Sequence, residues 1–473
     1  MPGPEIDLLA VDRGAVTAPA GCGKTQLIAD SLKRHQPGKP ILVLTHTNAG
    51  VAALRGRLAH MGVPSGCYRL YTIDGWAMRI ISTFPARSGH NPEILSLARP
   101  STDYPSIVIA AGRLMESGHL DDLVQASYSR LLVDEYQDCS VHQHAIISFV
   151  ASLIPTCVVG DPMQAIFSFR GNPLVDWASH VGSCFPPIGE LTTPWRWKNA
   201  GTERLGHWLL TARASLMAGS GVDLRGAPVE VSWVQLERAT AHQQRLVAAR
   251  TKAPNRNGLV MVLGESISPH GQRAIASQTP GATAVEAVAL GDLTNFGQSF
   301  DPEMPNALGH LLAFAGEMMT NVGVPEFIRR IQSLARGTAR SAPSEAEVAA
   351  LAFVAAPSYD AALKLLTKIS KSTDVRVFRP EVLHSCQKSL RLASQGAVSF
   401  SEATVRAREL YRHTGRPLSR RSVGSTLLLK GLEADVAVVL YPESMNAKHL
   451  YVAITRGSKR LVICSERPIL HPS

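Results

Sequence analysis

The chain has 473 residues, more than a single hydrophobic core usually supports, so two or more domains are expected. No run of 18 apolar residues occurs, which argues against a membrane-spanning helix, and the N-terminal residues lack the basic region of a signal peptide. The formal net charge of +10 favours a polyanionic partner, and the seven scattered cysteines, which form no CxxC pair, fit reduced thiols in a cytoplasm.

A glycine-rich turn near the N-terminus lies between a predicted strand, residues 14–17, and a predicted helix that begins near residue 26. This order is typical of a phosphate-binding loop, in which backbone N–H groups and a helix N-terminus surround an anion. Lys24 would reach the β and γ phosphates, and the Thr25 hydroxyl would hold Mg²⁺. A chance glycine turn before a helix is the less favoured alternative. The predicted cradle consists of Ala18, Pro19, Ala20, Gly21, Cys22, Gly23, Lys24 and Thr25.

Two polar segments, residues 45–48 and 72–77, each follow a short apolar run that indicates a strand. In open α/β sheets, ligands bind beyond the carboxyl ends of the strands, so both segments are predicted to line the working edge of a sheet. Residues 85–105 contain several Pro, Ser and Gly and interrupt the alternation of strands and helices. An insertion over residues 67–127 is therefore expected.

Asp134 and Glu135 stand side by side at the end of the apolar run 131–133. Such a pair suits ATP hydrolysis, because Asp134 can hold Mg²⁺ through water while Glu135 orients and deprotonates the attacking water. A solvated acidic loop is the alternative, and it is disfavoured for a pair that ends a buried strand downstream of a phosphate loop.

A further predicted strand, residues 156–160, leads into Gln164. The Gln164 amide can hydrogen-bond both a γ-phosphate and the attacking water. Beyond it, Phe169 and Arg170 can stack on bases and contact phosphate. A place in the hydrophobic core is the alternative for Phe169.

In this order the motifs resemble those of the UvrD/Rep-like helicases of superfamily 1, and the resemblance extends over nearly the whole chain. The first glycine of the phosphate loop is commonly Ala in this family, which matches Ala18. The matching segments are residues 18–25 for motif I, 45–48 for motif Ia, 72–77 for the next strand-contacting motif, 133–138 for motif II, 159–171 for motif III, 193–196 for motif IV, 429–435 for motif V and 449–456 for motif VI.

The resemblance implies ATP and Mg²⁺ as ligands and single-stranded or tailed duplex DNA as the partner. Arg196 would reach the γ-phosphate, Arg456 would act as an arginine finger, and Trp195 would stack on adenine. The further nucleotide contacts that it implies are Gln26, Gly431 and Glu433. The DNA contacts that it implies are Thr45, His46, Asn48, Thr72, Trp76, Phe169 and Arg170.

Departures from the family pattern concern nucleotide choice and the grip on the DNA strand. The adenine-reading Gln that the family carries upstream of motif I has no counterpart among residues 1–17, and the Arg that often follows the motif I Thr is Gln26. At the other motifs the replacements are His46 for an aromatic residue, Asp74 for a His, and Leu427 and Leu428 for a His and a Ser. The residues that contact phosphate all match.

The expected fold class is α/β, with two RecA-like parallel-sheet P-loop domains, each carrying a mostly helical insertion, and with ATP in the cleft between them. Arg196 and Arg456 are expected from the second domain, and Lys24, Thr25, Asp134 and Glu135 from the first. The predicted limits are 1–66 and 128–195 for the first motor domain, 67–127 for its insertion, 196–289 and 421–473 for the second motor domain, and 290–420 for its insertion.

The second predicted insertion is rich in Lys and Arg, notably between residues 364 and 421. Two interpretations remain open for these charges. They form either a solvated helical surface or a face that contacts nucleic acid.

The leading hypothesis is a DNA-dependent ATPase that translocates 3′ to 5′ on single-stranded DNA, with or without unwinding of duplex. The second is an ATP-driven regulatory subunit of a partner nuclease, since the chain resembles short UvrD-like proteins such as the helicase-like subunit of Gabija-type anti-phage defence. No nuclease motif occurs in the chain itself, so cleavage would come from that partner. An inactive structural homologue is disfavoured because Lys24, Glu135 and Arg456 are all present.

Overall fold

The computed structural model describes residues 6–36, 38–167, 173–265, 267–413 and 418–472, with the backbone alone for 412 and 413. These residues form two compact units. The first unit comprises Met1–Ser232, Met445–Arg460 and Pro468–Ser473, and the second comprises Trp233–Ser444 and Leu461–Arg467.

The strands of the described residues are β1 (Arg13–Thr17), β2 (Ile41–Thr45), β3 (Tyr68–Thr72), β4 (Arg130–Val133), β5 (Thr156–Gly160), β6 (Pro187–Glu190), β7 (Val222–Asp223), β8 (Val231–Gln235), β9 (Val260–Leu263), β10 (Thr283–Ala284), β11 (Met319–Thr320), β12 (Arg376–Val377), β13 (Arg421–Gly424), β14 (Ala434–Val439), β15 (Gly457–Ser465) and β16 (Ile469–Leu470).

The α-helices of the same residues are α1 (Lys24–Arg34), α2 (Asn48–His60), α3 (Ile73–Thr83), α4 (Pro85–Ser88), α5 (Pro100–Glu116), α6 (Asp121–Ser127), α7 (Val141–Leu153), α8 (Gly182–Cys184), α9 (Trp195–Ala200), α10 (Glu203–Met217), α11 (Ala241–Ala249), α12 (Pro269–Gln278), α13 (Gly291–Ser299), α14 (Ala307–Met318), α15 (Val324–Ala335), α16 (Glu345–Ala355), α17 (Tyr359–Ser370), α18 (Pro380–Ser394), α19 (Phe400–His413), α20 (Thr426–Leu429) and α21 (Ala447–Ile454). Among these helices none has the length and apolar character of a membrane span.

Six of the described strands form the sheet of the first unit, in the order β3-β2-β4-β5-β1-β6 with every neighbouring pair parallel. On β2, Leu42 and Leu44 belong to one apolar cluster, while Ile41 and Val43 belong to another, so the sheet is covered on both faces. Burial on both sides explains why β2 and β5 are apolar along most of their length. Because the strands run in parallel, the loops after β1, β2, β4 and β5 meet at one edge of the sheet.

In the second unit, the described strands form a six-stranded sheet in the order β10-β13-β9-β14-β15-β8. The neighbours β10 and β13, β13 and β9, and β9 and β14 pair in parallel. Val262 on β9 and Val438 on β14 are fully buried in its core. The two sheets confirm the predicted α/β class with two RecA-like domains.

Helical segments interrupt each sheet between two strands. In the first unit α3 to α6 separate β3 from β4, and the interruption begins at Ile73 rather than at residue 67, because β3 itself belongs to the sheet. In the second unit α13 to α19 separate β10 from β13 and enclose their own apolar cluster, in which the rings of Phe296 and Phe314 stack with centroids 3.9 Å apart. Helices α13 to α19 lie between Gly291 and His413.

The compact units differ from the predicted domain limits in three stretches. Residues 196–232, 445–460 and 468–473 fall within the second motor domain predicted from the sequence, yet they cluster with the first unit. The physical reason is local packing: the two tryptophans of α9 lie against the phosphate loop, α21 packs on the turn Pro162–Gln164, and β16 pairs with β7.

Candidate nucleotide site

The phosphate loop lies between β1 and α1 and has the conformation that its glycines allow. Gly21 and Gly23 adopt φ angles of +71° and +91°, which side-chain-bearing residues rarely adopt. A Cβ atom added to Gly21 would lie 2.6 Å from the Trp197 ring, and one added to Gly23 would lie 3.0 Å from the Trp195 ring. Backbone conformation therefore favours glycine at both positions, and at Gly21 the close approach of the buried Trp197 ring requires it as well.

The remaining loop residues fit a cradle that is anchored to the sheet. The Ala18 N–H donates to the Gly160 carbonyl at 2.8 Å, so the alanine at the first position of the motif lies against β5. Cys22 is buried, and burial raises the pKa of its thiol to about 12, which keeps it protonated. Pro19 accepts from the Cys22 N–H at 3.1 Å and closes the turn.

Lys24 forms ion pairs with the two carboxylates that follow β4. Its Nζ lies 2.6 Å from Glu135 Oε1 and 3.5 Å from Asp134 Oδ1. Burial lowers the pKa of Lys24, but the charges of Glu135 and Asp134 outweigh burial, so the pKa stands above its usual value. Burial raises the pKa of Asp134, and Lys24 opposes that rise. Lys24, Asp134 and Glu135 therefore lie together at one edge of the sheet.

Glu135 is held in a strained conformation beside the loop. Its φ is +56°, uncommon for a residue other than glycine, and its N–H donates to Asp134 Oδ1 at 3.0 Å. Gln137 donates from Nε2 to Glu135 Oε2 at 2.6 Å and accepts the Asp161 N–H at 3.0 Å. The carboxylate predicted to act as general base is therefore oriented by both Lys24 and Gln137.

The donors around the cradle are of the type that ATP and Mg²⁺ take. The Thr25 hydroxyl stands in the first turn of α1, and the Asp134 carboxylate stands at the end of β4, so both are hard oxygen ligands suited to Mg²⁺. Among the described residues, no group of three or more His, Cys, Asp or Glu side chains is placed to hold a metal ion by itself.

A buried polar network links the loop after β5 to α10. Asp161, fully buried, accepts from Arg213 Nε and Nη2 at 3.2 and 3.0 Å through Oδ1, and from Gln164 Nε2 at 3.2 Å through Oδ2. Arg213 also donates from Nη1 to Glu190 Oε1 at 2.9 Å. Sequence reasoning missed Arg213. The sequence position of Arg213 could have indicated a buried ion pair. It lies four residues after Leu209 on the apolar stripe of α10, where a charged side chain needs a buried partner.

The segments that resemble motifs IV and VI are bonded to the phosphate loop and to each other within the first unit. The Arg196 N–H donates to the Gly21 carbonyl at 3.0 Å, and its Nη1 donates to the Thr455 carbonyl at 2.7 Å. The Ala20 N–H donates to the Tyr451 hydroxyl at 2.9 Å. These two residues are far apart in the sequence, and no sequence pattern predicts their contact.

Arg456 lies at the end of α21 with 2% of its surface exposed. Its Nε donates to the Val452 carbonyl at 2.8 Å, and Nη2 donates to Thr455 Oγ1 at 3.1 Å. On either side of it, the carbonyls of Thr455 and Gly457 accept from Arg196 and from Trp197 Nε1, the latter at 2.9 Å. The backbone of Arg456 is therefore fixed relative to the phosphate loop.

Trp195 presents an exposed ring beside the loop. It is 47% exposed, lies next to Gly23, and has Lys198 Nζ 5.2 Å from its ring centroid. Gln26, which stands where the family often has Arg, donates to Asp30 at 3.0 Å on the exposed face of α1. Adenine stacking on Trp195 stays a prediction.

We expect loose base selection from this arrangement, because an indole face stacks on any base and Gln26 is engaged with its own helix. GTP or CTP should support hydrolysis within about tenfold of ATP, a difference of ~1.4 kcal/mol. The measurement is steady-state hydrolysis of the three nucleotides. Trp195→Ala should weaken the hydrolysis of all three nucleotides alike. A strict preference for ATP in the wild-type protein would contradict the prediction.

The side chains predicted to contact DNA fall into three groups. His46, Asn48 and Thr72 are at least partly exposed at the carboxyl ends of β2 and β3, and the His46 ring lies 5.9 Å from that of Phe167. Thr45 and Trp76 are 1% and 2% exposed, and Trp76 belongs to the core cluster that includes Ile80, so its indole packs rather than stacks on bases. The last group, Phe169 and Arg170, lies outside the described residues.

The two nucleotide contacts predicted from motif V lie in the second unit. Gly431, with φ +79°, and Glu433 are exposed in the loop between α20 and β14. Their contact with nucleotide stays a prediction.

The comparisons with known proteins cover parts of the chain, and the family-model match includes the acidic pair. Residues 97–174 match the family model of the UvrD/REP helicase N-terminal domain. Over 80 residues, 16% of this chain, the sequence is 34% identical to the RecBCD enzyme subunit RecB of Buchnera aphidicola subsp. Acyrthosiphon pisum (strain APS), and the match spans 7% of that protein. A solved complex of arterivirus nonstructural protein 10 (helicase) with DNA aligns with 53% of this chain and 47% of its own, at 11% identity and a TM-score of 0.28.

The matched residues contain β4 with Asp134 and Glu135, and the turn after β5 with Gln164. This segment of the chain is therefore similar to the UvrD/REP helicase N-terminal domain.

Proposed function

We propose that this protein hydrolyses ATP and uses the energy to translocate 3′ to 5′ along single-stranded DNA. The observation that carries the proposal is the cluster at one sheet edge, where Lys24 contacts both Asp134 and Glu135 beside a glycine cradle. A phosphate loop with a carboxylate at the end of a nearby strand of the same sheet is the arrangement that phosphoryl transfer to water needs.

In the proposed reaction, Lys24 binds the β and γ phosphates and Glu135 takes a proton from the attacking water. Gln164 orients that water, and Arg196 and Arg456 neutralise the charge that develops on the γ-phosphoryl oxygens. Thr25 and Asp134 would hold Mg²⁺, which would offset the negative charge of the phosphates. Lys24 must exchange its 2.6 Å ion pair with Glu135 for phosphate, which leaves Glu135 available to act as a base.

A second candidate is a DNA-dependent ATPase subunit that regulates a partner nuclease. The partial identity to a protein named as a subunit of the RecBCD enzyme favours this candidate, because such a subunit acts together with partner chains. The chemistry at the nucleotide is the same in both proposals, and they differ in what the ATPase cycle drives.

The test is ATP hydrolysis with and without a dT oligonucleotide, followed by strand displacement on duplexes with a 3′ or a 5′ tail. The translocase proposal expects DNA-stimulated hydrolysis and displacement on the 3′-tailed duplex alone. Stimulated hydrolysis without displacement on either substrate favours the regulatory subunit. Lys24→Ala is the negative control, and wild-type turnover that matches this control would contradict both candidates.

Several basic residues of the helical insertion form ion pairs with acids on the same surface. The ion pairs there are Lys364 with Asp360 at 2.7 Å, Lys368 with Glu345 at 2.8 Å, Arg406 with Glu402 at 2.6 Å and Arg408 with Glu409 at 2.7 Å. Of the two interpretations of this region, these pairs favour the solvated surface. Arg55 and Arg57, in contrast, are exposed on α2, directly after the strand-end residues 45–48.

We expect single-stranded DNA binding to weaken with salt at roughly −0.7 in log–log slope for each phosphate contacted. Arg55→Gln with Arg57→Gln should reduce the magnitude of the slope by about 1.4 at this value per phosphate. The control variant, which carries Lys364→Gln, Lys368→Gln and Arg406→Gln on the insertion, should leave the salt slope unchanged. The measurement is fluorescence anisotropy of a labelled oligonucleotide across a salt series, and the reverse pattern would place the DNA on the insertion.

A further inference from the structure

We propose that Arg213 is a positioning residue for ATP hydrolysis, which acts by fixing Asp161 so that the Gln164 amide has one orientation. The inference rests on the proposed ATPase function and extends it to a residue outside the recognised motifs. Arg213 is 7% exposed on α10 and reaches the turn after β5, 52 residues away in sequence.

The Arg213 guanidinium binds two carboxylates at two strand ends. Nε and Nη2 converge on Asp161 Oδ1, and Nη1 meets Glu190 Oε1 at the end of β6. A planar guanidinium that makes three hydrogen bonds to two carboxylates holds both with little freedom. Asp161 is also fixed by the Met163 N–H, which donates to Oδ1 at 3.1 Å. The carboxylate therefore stands in one place, with Oδ2 directed at Gln164.

The chemistry of the carboxylate then determines the orientation of the glutamine. An ionised carboxylate only accepts hydrogen bonds, so the NH₂ end of the Gln164 amide must face Asp161 Oδ2, at 3.2 Å. Oε1 then points away from Asp161 as an acceptor, which is what an attacking water that donates a proton requires. The flipped amide would place its oxygen against the carboxylate and is disfavoured. In the proposed reaction, Arg213 thus selects the productive amide orientation without contacting nucleotide.

The charge balance dictates which variants are informative. Removal of Arg213 alone leaves the Asp161 carboxylate buried without its cation, which is expensive and can unfold the unit. Arg213→Met combined with Asp161→Asn removes both charges and keeps similar volumes. The carboxamide that this second substitution introduces can turn either its oxygen or its NH₂ group toward Gln164, so orientation is lost while the fold is retained. Arg204→Met is the matched control, because Arg204 is an exposed arginine on the same helix.

The experiment is a double-mutant cycle on steady-state ATP hydrolysis, with nucleotide affinity measured separately by a fluorescent ADP analogue. Arg213→Met/Asp161→Asn should lower kcat by up to about 10²-fold, as misplacement of a reacting group does, with ADP affinity nearly unchanged. Gln164→Ala should lower kcat comparably. The variant that combines Arg213→Met, Asp161→Asn and Gln164→Ala should hydrolyse ATP at the rate of Gln164→Ala alone, because the network acts only through the Gln164 amide. Arg204→Met should match the wild type.

The outcomes separate the inference from the proposed function. A wild-type kcat in Arg213→Met/Asp161→Asn would overturn the positioning role and leave the proposed ATPase function intact. The same conclusion would follow if Arg213→Met/Asp161→Asn lowered kcat as much in the Gln164→Ala background as it does in the wild type. Equal losses in ADP affinity and kcat would do the same, since they indicate a structural role. Absence of hydrolysis in the wild-type protein would refute the proposed function itself.

Discussion

Arg456→Ala should lower kcat for ATP hydrolysis by about 10³–10⁵-fold and change ATP affinity only modestly, because an arginine finger acts on the transition state. The structure adds a reason to expect a specific effect. The carbonyls on both sides of Arg456 are held by Arg196 and Trp197, and Arg196 is itself bonded to Gly21 of the phosphate loop. The side chain starts from a fixed backbone, bonded to the Val452 carbonyl of its own helix.

The variant is measured with and without a dT oligonucleotide, and its thermal unfolding is recorded because Arg456 is buried. Stimulation of hydrolysis by the oligonucleotide should be lost with kcat. Arg456→Lys, which keeps the charge but not the fork of donors, should retain the fold and recover little activity. If the alanine variant keeps DNA-stimulated turnover at an unchanged melting temperature, Arg456 is a structural residue and coupling to DNA must run through Arg196 or be absent.

Glu135→Gln should bind ATP at least as tightly as the wild type and hydrolyse it about 10²–10⁴-fold more slowly, the usual contribution of a general base. The amide cannot take the proton of the attacking water, whereas Asp134, the proposed Mg²⁺ ligand, remains. Affinity should not fall, because Glu135 competes with phosphate for Lys24 through the 2.6 Å ion pair. Lys24→Ala should lose both binding and turnover, since it removes the cation of the cradle.

Binding is measured with the fluorescent ADP analogue and turnover by phosphate release, under the same conditions for both variants. Hydrolysis by Glu135→Gln at the wild-type rate would contradict the assignment of the base. An affinity that falls as far as in Lys24→Ala would mean that Glu135 organises the cradle rather than the water. The conformation of Glu135, with φ +56°, makes this second readout necessary.

The nucleotide site was predictable to the extent that it is encoded locally. Gly21 and Gly23 are required by the backbone of the turn itself, and the helix that begins at Lys24 follows from the spacing of its apolar residues. Asp134 and Glu135 could be placed because an apolar run that becomes a buried parallel strand must end at the sheet edge. The α/β class follows from the same alternation of short apolar runs and amphipathic helices.

Other features were decided by packing between residues that are distant in sequence. The sequence presents Trp76 as an aromatic residue in a polar segment, but α3 turns it into the core with Ile80. Arg213 could be suspected from its place on an apolar stripe, yet its partner Asp161 is 52 residues away. The bond from Ala20 to Tyr451 spans 431 residues, and it belongs to the packing that groups residues 445–460 with the phosphate loop. Local patterns specify turns and periodicity because they depend on neighbouring backbone; which charges and rings meet depends on how whole helices pack, and only the tertiary structure decides that.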